Sequence, residues 1–393
     1  MSSHAENVLL EIARIGSKHP TGAEMLLLEP FAHFQTAKGA LDLGSLDEAD
    51  SECTRREVLL RFLALSAVLD QGPDSVGVRL LVRLVTEELY RQGIRFLHRP
   101  LLFFQNLARV LVVVHEANNS VTETRAKKWA EENQSSPGRY NLFLDNSRQT
   151  LNYVVFRWGV PLSLPMLHQE IALSKDKVST VLCDHLWSFA SAEIMSQELK
   201  DDPVYGFGKA LGDKAGHLFA KWSVSSFGLL ARAEPNWGPL SYETPLDSNV
   251  GRVLWRSGAL LEWADEKDYV KREVIQREKG KGGLDYIRVT KMRGMTVSKE
   301  LSHEVAQAYV EICCNHLCTH KRSPQKIKVQ RVPNAYLLAA GNKFGIANLD
   351  DGLIFIGTQY CLNHENPRCG DCPLRGVCMA ANGKRHLVEN YRT

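Results

Sequence analysis

Four cysteines fall within eighteen residues in CLNHENPRCGDCPLRGVC, at Cys361, Cys369, Cys372 and Cys378. Their spacing is C-x7-C-x2-C-x5-C. A structural zinc site usually draws on two C-x2-C knuckles, whereas this run has one, with a single thiol on either side. A cubane [4Fe–4S] cluster accepts four thiolates from uneven, closely spaced positions. The run NPRCGDCPL supplies Pro and Gly that keep the backbone in tight turns. Without a metal, four thiols near solvent would be open to oxidation. The pattern therefore points first to an iron–sulfur cluster and second to zinc.

Nine cysteines in a chain whose N-terminal apolar stretch is interrupted by Glu6 and Glu11 favour metal binding or core thiols over disulfides. Cys53 and Cys183 stand alone and read as inert. Cys313, Cys314 and Cys318, with His316 and His320, invite a zinc reading. They lack four ligands drawn from more than one turn, so small core residues on a helix are the better reading.

Asp247 opens the run DSNVGRVLWRSG, where helical spacing begins, and taken alone it reads as an N-cap. Two segments are strongly basic, KREVIQREKGKGG and THKRSPQKIKVQR. They carry Lys271, Arg272, Arg277, Lys279, Lys281, Lys321, Arg322, Lys326, Lys328 and Arg331, a concentration suited to phosphate contacts. The net charge of +3 is too small to demand a nucleic-acid partner by itself.

The elements that must position these residues are mostly helical. Apolar residues recur at three- and four-residue spacing over 5–15, from Thr54, and again after the turn DQGPDS. Further helices are expected at 101–117, 121–133, 176–199, from about 247, over 299–320, and just before the cysteines. The stretch 268–298 alternates around a Gly-rich centre, as a β-hairpin would. No run of eighteen apolar residues is present, so no membrane span is expected. The expected class is all-α with a small β insertion, in a cytosolic or nucleoid-associated chain.

The segment LDDGLIFIGTQYCLNHENPRCGDCPLRGVC resembles the iron–sulfur loop of the helix-hairpin-helix DNA glycosylases, the endonuclease III and adenine-glycosylase branch. That loop typically reads C-x6-C-x2-C-x5-C, so this chain has one extra residue in the first gap. The segment LDSNVGRVL is similar to that family's catalytic segment, and Asp247, Asn249, Val250, Arg252 and Val253 fall on it in order. The resemblance implies a carboxylate at Asp247 that stabilises positive charge building on the sugar as an N-glycosidic bond breaks. A helix N-terminus favours such a charge.

Two weaker likenesses lie upstream. ALGDKAGHLFAKW resembles the second half of the family's hairpin, whose backbone N–H groups grip phosphates. One register places Gly212 in the turn and Lys214 at the nucleophile position of the bifunctional members, where an amine forms a Schiff base and allows strand cleavage. Another uses YGFG, with Gly206 and Gly208 in the turn and Ala210 in the lysine's place. LALSAVLDQGPDSVGV resembles the segment whose glutamine wedges into the gap left by a flipped nucleotide, which maps to Gln71; it also reads as an ordinary helix–helix turn. Ala67 occupies the position of the adenine branch's catalytic glutamate, so the expected target is another damaged or modified base.

The resemblance implies two helical lobes: a catalytic core over 55–261, and a discontinuous second lobe of 1–54 and 262–393 carrying the basic insertion and the cluster. It implies a monomer acting on duplex DNA with a flipped base. The DNA contacts would include Gln71, Gly206, Gly208, Gly212, Asn249 and Arg252, and the cluster ligands would be the four cysteines. The rival from another class is a non-catalytic iron–sulfur DNA-binding protein on the same fold.

Overall fold

The computed structural model describes residues 4–70, 74–140, 177–202, 211–239, 241–245, 247–259, 344–362 and 366–389. It also describes scattered residues between 142 and 175, and the backbone of 275–279 and 285–289. The described residues are mostly helical. The longer helices among them are α1 (His4–Gly16), α2 (Arg55–Leu69), α3 (Ser75–Arg91), α4 (Leu107–Glu132), α5 (Val181–Trp187), α6 (Ala192–Glu198), α7 (Asp213–Ala220), α8 (Ser248–Arg256) and α9 (Ile346–Gln359), with shorter helical pieces at Leu101–Gln105 and His386–Glu389. Two antiparallel pairs supply the strands, β1 (Ala49–Asp50) with β2 (Cys53–Thr54) and β3 (Ile275–Lys279) with β4 (Asp285–Val289). The second pair is the hairpin that the alternation over 268–298 predicts; its register sets Ile275 opposite Val289 and Lys279 opposite Asp285.

Two compact units are present. One comprises Met1–Thr21, Ala190–Ser196 and Arg232–Thr393, and the other Gly22–Phe189 and Gln197–Ala231. In the first, α1 lies along α9 with its backbone almost in contact. A Cβ on Gly16 would stand 1.9 Å from the Asn348 carbonyl oxygen, and one on Gly352 would stand 2.0 Å from that of Ile12. Only glycine permits this approach, which buries Val8, Leu9, Ile12 and Ala13 against Leu349, Leu353 and Ile356.

In the second unit α2 is apolar on every side and buried nearly throughout, as a helix enclosed by neighbours must be. An ion pair within it is fully buried: an Arg61 guanidinium nitrogen lies 2.8 Å from the Glu57 carboxylate. Glu57 also accepts the backbone N–H groups of Leu182 and Cys183 at 2.9 and 2.8 Å, at the start of α5. Arg61 donates to the Leu97 carbonyl and the Gln169 side chain at 2.9 and 2.8 Å. A buried pair persists when its remaining donors and acceptors are filled in this way.

Two helix boundaries differ from those the pattern predicts. The segments 101–117 and 121–133 divide elsewhere: Leu101–Gln105 is a short helix of its own, and α4 then runs unbroken from Leu107 through Asn118, Asn119 and Ser120. Those residues are weak helix formers, but Val110, Val113, Val114 and Val121 are buried on either side of them and outweigh local propensity. The segment 176–199 is not one helix. α5 ends at Trp187, and Ser191 starts α6 afresh by accepting the Ile194 N–H at 3.1 Å. The helix expected over 299–320 lies outside the described residues. Among those described, no helix is long and apolar enough to cross a membrane.

Candidate metal centre and catalytic helix

The first unit brings the Asp247 helix and the cysteine loop together. Asp247 is the N-cap of α8, and its Oδ1 accepts the N–H groups of Asn249 at 2.8 Å and Val250 at 2.9 Å. One face of α8 is apolar and buried through Val250, Val253 and Leu254. Arg252 and Arg256, four residues apart and so on one helical face, are also buried, at 2% and 1% exposure.

Both arginines bind the cysteine loop. Arg252 Nε donates to the Cys361 carbonyl at 2.5 Å, while its Nη2 donates to the Gly357 carbonyl at 2.9 Å and to Asn249 Oδ1 at 2.6 Å. Arg252 is therefore not at a DNA-facing surface: its guanidinium holds α8 to the end of α9, and Asn249 steers it. Arg256 Nη1 donates to the Leu362 carbonyl at 2.8 Å and lies 3.7 Å from the Cys361 sulfur. The loop returns past the same helix end, where the Met379 and Ala380 N–H groups bond the carbonyls of Ser257 and Arg256 at 3.1 Å each.

Cys361, Cys369, Cys372 and Cys378 all line one narrow cavity, walled otherwise by apolar residues such as Val253, Ile356 and Leu374, with Arg256 at its side. Among the described residues no three His, Cys, Asp or Glu side chains are grouped as a metal ion would hold them. Burial pushes the Cys372 thiol up to about 12 and that of Cys378 to about 11, and it raises Cys369 as well. The neighbouring thiols add to each rise, because thiolates crowded into one apolar space repel. Such a set holds four thiolates only around a cation, and the neutralising charge of a [4Fe–4S] cluster suits it. A cluster of several irons spaces its thiolates more widely than a single ion does, so four thiols around one cavity with an adjacent guanidinium fit that group though they are not drawn together as around one ion.

The second unit holds Lys214, at the start of α7. Its Nζ lies 3.3 Å from Asp70 Oδ1 and 3.2 Å from the Asp70 carbonyl oxygen. The side chain is half-buried, and Gly212 caps α7 in extended conformation. Asp70 ends α2, one residue before Gln71. Gln71, Gly206 and Gly208 lie outside the described residues, so the two hairpin registers are not compared by position. Lys271, Arg272, Lys281 and the run 321–331 lie outside them too, as do Cys313, Cys314, His316, Cys318 and His320.

Two site residues escape sequence reasoning. Arg256 carried a signal, since a second arginine one turn after Arg252 puts two cations on the buried side of a short helix. Asp70 carried none, because its partner lies 144 positions away.

Comparison with protein families, characterised proteins and solved structures finds no match to this chain.

Proposed function

We propose that this chain is a DNA glycosylase with a structural iron–sulfur cluster, cleaving the N-glycosidic bond of a damaged or modified base. One observation carries the reading: the helix headed by Asp247 forms a wall of the cavity that the four cysteines line. Two specific motifs, each similar to the helix-hairpin-helix glycosylases, are therefore neighbours in space as well as in order.

In this reading Asp247 is held by two backbone N–H groups and by an anchored helix, so its carboxylate keeps one position. Positive charge that builds on the sugar as the base leaves is stabilised by that fixed negative group, which needs no reorganisation during the reaction. Cys361, Cys369, Cys372 and Cys378 would hold the cluster, which when bound supplies the charge that lets four thiolates share the cavity. Arg252 and Arg256 are positioning residues, fixing α8 to that loop. Lys214 is the proposed amine for strand cleavage at the abasic site. The Asp70 carboxylate, 3.3 Å away, fixes where it stands.

The test is a screen of the full-length protein against duplexes carrying single modified bases, with alkali to reveal abasic sites. Asp247→Asn is expected to lose base release, by roughly 10²–10³-fold, while duplex affinity stays within a factor of two. A second reading, a non-catalytic iron–sulfur DNA-binding protein, is favoured by the capping geometry of Asp247, which alone accounts for an aspartate there. Excision in the screen excludes the second reading; unchanged excision by the asparagine variant excludes Asp247 as the catalytic group.

A further inference from the structure

The second unit contains a cavity of about 190 Å³, several times the space of one water, between the end of α2, the start of α3 and residues 24–25. Its apolar lining includes Phe62, Met25, Val76 and Leu80, and its polar lining is Ser66, Glu24, Arg79 and Arg83. Val76, at 54% exposure, is an uncovered aliphatic residue on the lining.

The polar groups define what fits. The Arg79 Nε–H is sealed from solvent without an acceptor, so it is the terminal nitrogens of this guanidinium that can meet a ligand in the cavity. The Arg79 guanidinium otherwise faces Glu24 only at 3.9 Å, and Arg83 is paired with Glu87 at 3.1 Å. Each cation thus already has a carboxylate, so the lining is electrically balanced and favours a neutral ligand over an anion. The Ser66 hydroxyl donates to the Phe62 carbonyl at 2.8 Å, which leaves its oxygen to accept. The site therefore offers a donor beside acceptors, within an aromatic ring, a thioether and a planar guanidinium. Flat π-systems stack on all three.

We propose that this cavity binds a nucleobase presenting a lactam edge, a ring carbonyl next to a ring N–H, as in 6-oxopurines. The carbonyl accepts from Arg79, and the N–H donates to Glu24 or Ser66. The amino-substituted edge of adenine reverses that order and puts a donor against the arginine. The site lies within the second unit, and its test does not depend on base excision.

The experiment titrates the full-length protein with inosine and with adenosine, followed by ligand-observed saturation-transfer NMR. Inosine is expected to bind about tenfold more tightly than adenosine, the discrimination of one good base-edge pair. Arg79→Ala and Arg79→Lys should each remove the preference, since neither keeps the planar fork. Val76→Trp, which fills the cavity, should abolish inosine binding with an unchanged circular dichroism spectrum. Equal affinity for the two nucleosides, no saturable inosine binding, or inosine binding that survives Arg79→Ala and Val76→Trp would overturn the proposal. A second arm separates the sources of the base, using a single-stranded oligonucleotide carrying one deoxyinosine. Affinity for it that falls in Val76→Trp assigns the cavity to a base within nucleic acid. Affinity that does not change, with free inosine binding still lost, assigns it to a free nucleoside.

Discussion

Arg256 Nη1 stands 3.7 Å from the sulfur of Cys361, so the helix that Asp247 begins ends against the first of the four cysteines. The arginine also bonds the Leu362 and Val388 carbonyls, at 2.8 and 3.4 Å, and so joins three chain segments. Arg256→Gln should leave those buried carbonyls without their donor and lower stability by about 3 kcal/mol. Iron content per chain should fall with it. Iron retention and a melting temperature equal to wild type would show that the contact is incidental.

Protein purified without oxygen should be brown, with broad absorbance near about 400 nm and about four irons per chain. Cys372→Ser should lose that colour together with solubility, because apart from the thiols and a few apolar residues such as Leu374 the loop has little core of its own. Stoichiometric zinc in place of iron would overturn the cluster assignment.

Borohydride reduction during turnover should trap a covalent protein–DNA adduct if Lys214 is the amine, and Lys214→Gln should lose both adduct and strand cleavage. Asp70→Asn removes the carboxylate 3.3 Å from the lysine, so it should alter the trapping rate without touching base release. An adduct that persists in Lys214→Gln would assign the chemistry to another amine.

Stability should also depend on pH through His98. Its Nε2–H donates to Asp50 at 2.6 Å and its Nδ1 accepts from the Tyr90 hydroxyl at 2.7 Å. Burial lowers His98 to about 4 from the ordinary 6.5, against the pull of Asp50. Burial alone would raise Asp50, but bonds from His98 and His33 hold it below the usual carboxylate range, so it stays ionised in this window. The unfolded chain therefore takes up the histidine proton first as pH falls. The His98 contribution is whole above about pH 6.5 and lost towards pH 4, amounting to about 2 kcal/mol by pH 5. Urea unfolding at pH 7 and pH 5 measures it, and His98→Gln should flatten the difference.

What depends on local spacing was legible: the cysteines around CGDC share one cavity, and Asp247 caps its helix. The helix register also showed through: α1, α2 and α3 lie where apolar periodicity puts them. What stayed hidden depends on distant partners. Nothing near Arg252 announces that its guanidinium turns inward to Gly357 and Cys361, since a polar residue beside a helix-capping aspartate reads equally well as a surface contact. The Asn118–Asn119–Ser120 run looked like a break because propensity is local, whereas the burial of Val113, Val114 and Val121 that overrides it is tertiary.

The glycine crossing of α1 and α9 has a consequence for how the chain is made. Thr21, just past α1, bonds Asp351 of α9 across 330 positions of sequence. The first unit thus cannot close during synthesis until its far segment has left the ribosome, and α1 must wait with Val8, Leu9 and Ile12 uncovered. The segments of the second unit are all made earlier and can condense within that open loop. Closing so long a loop is slow but adds little entropic cost per residue, so the burden falls on rate and on aggregation while waiting, not on final stability. In cells short of chaperone capacity, soluble yield should therefore be limited by the order in which the two ends of this chain meet.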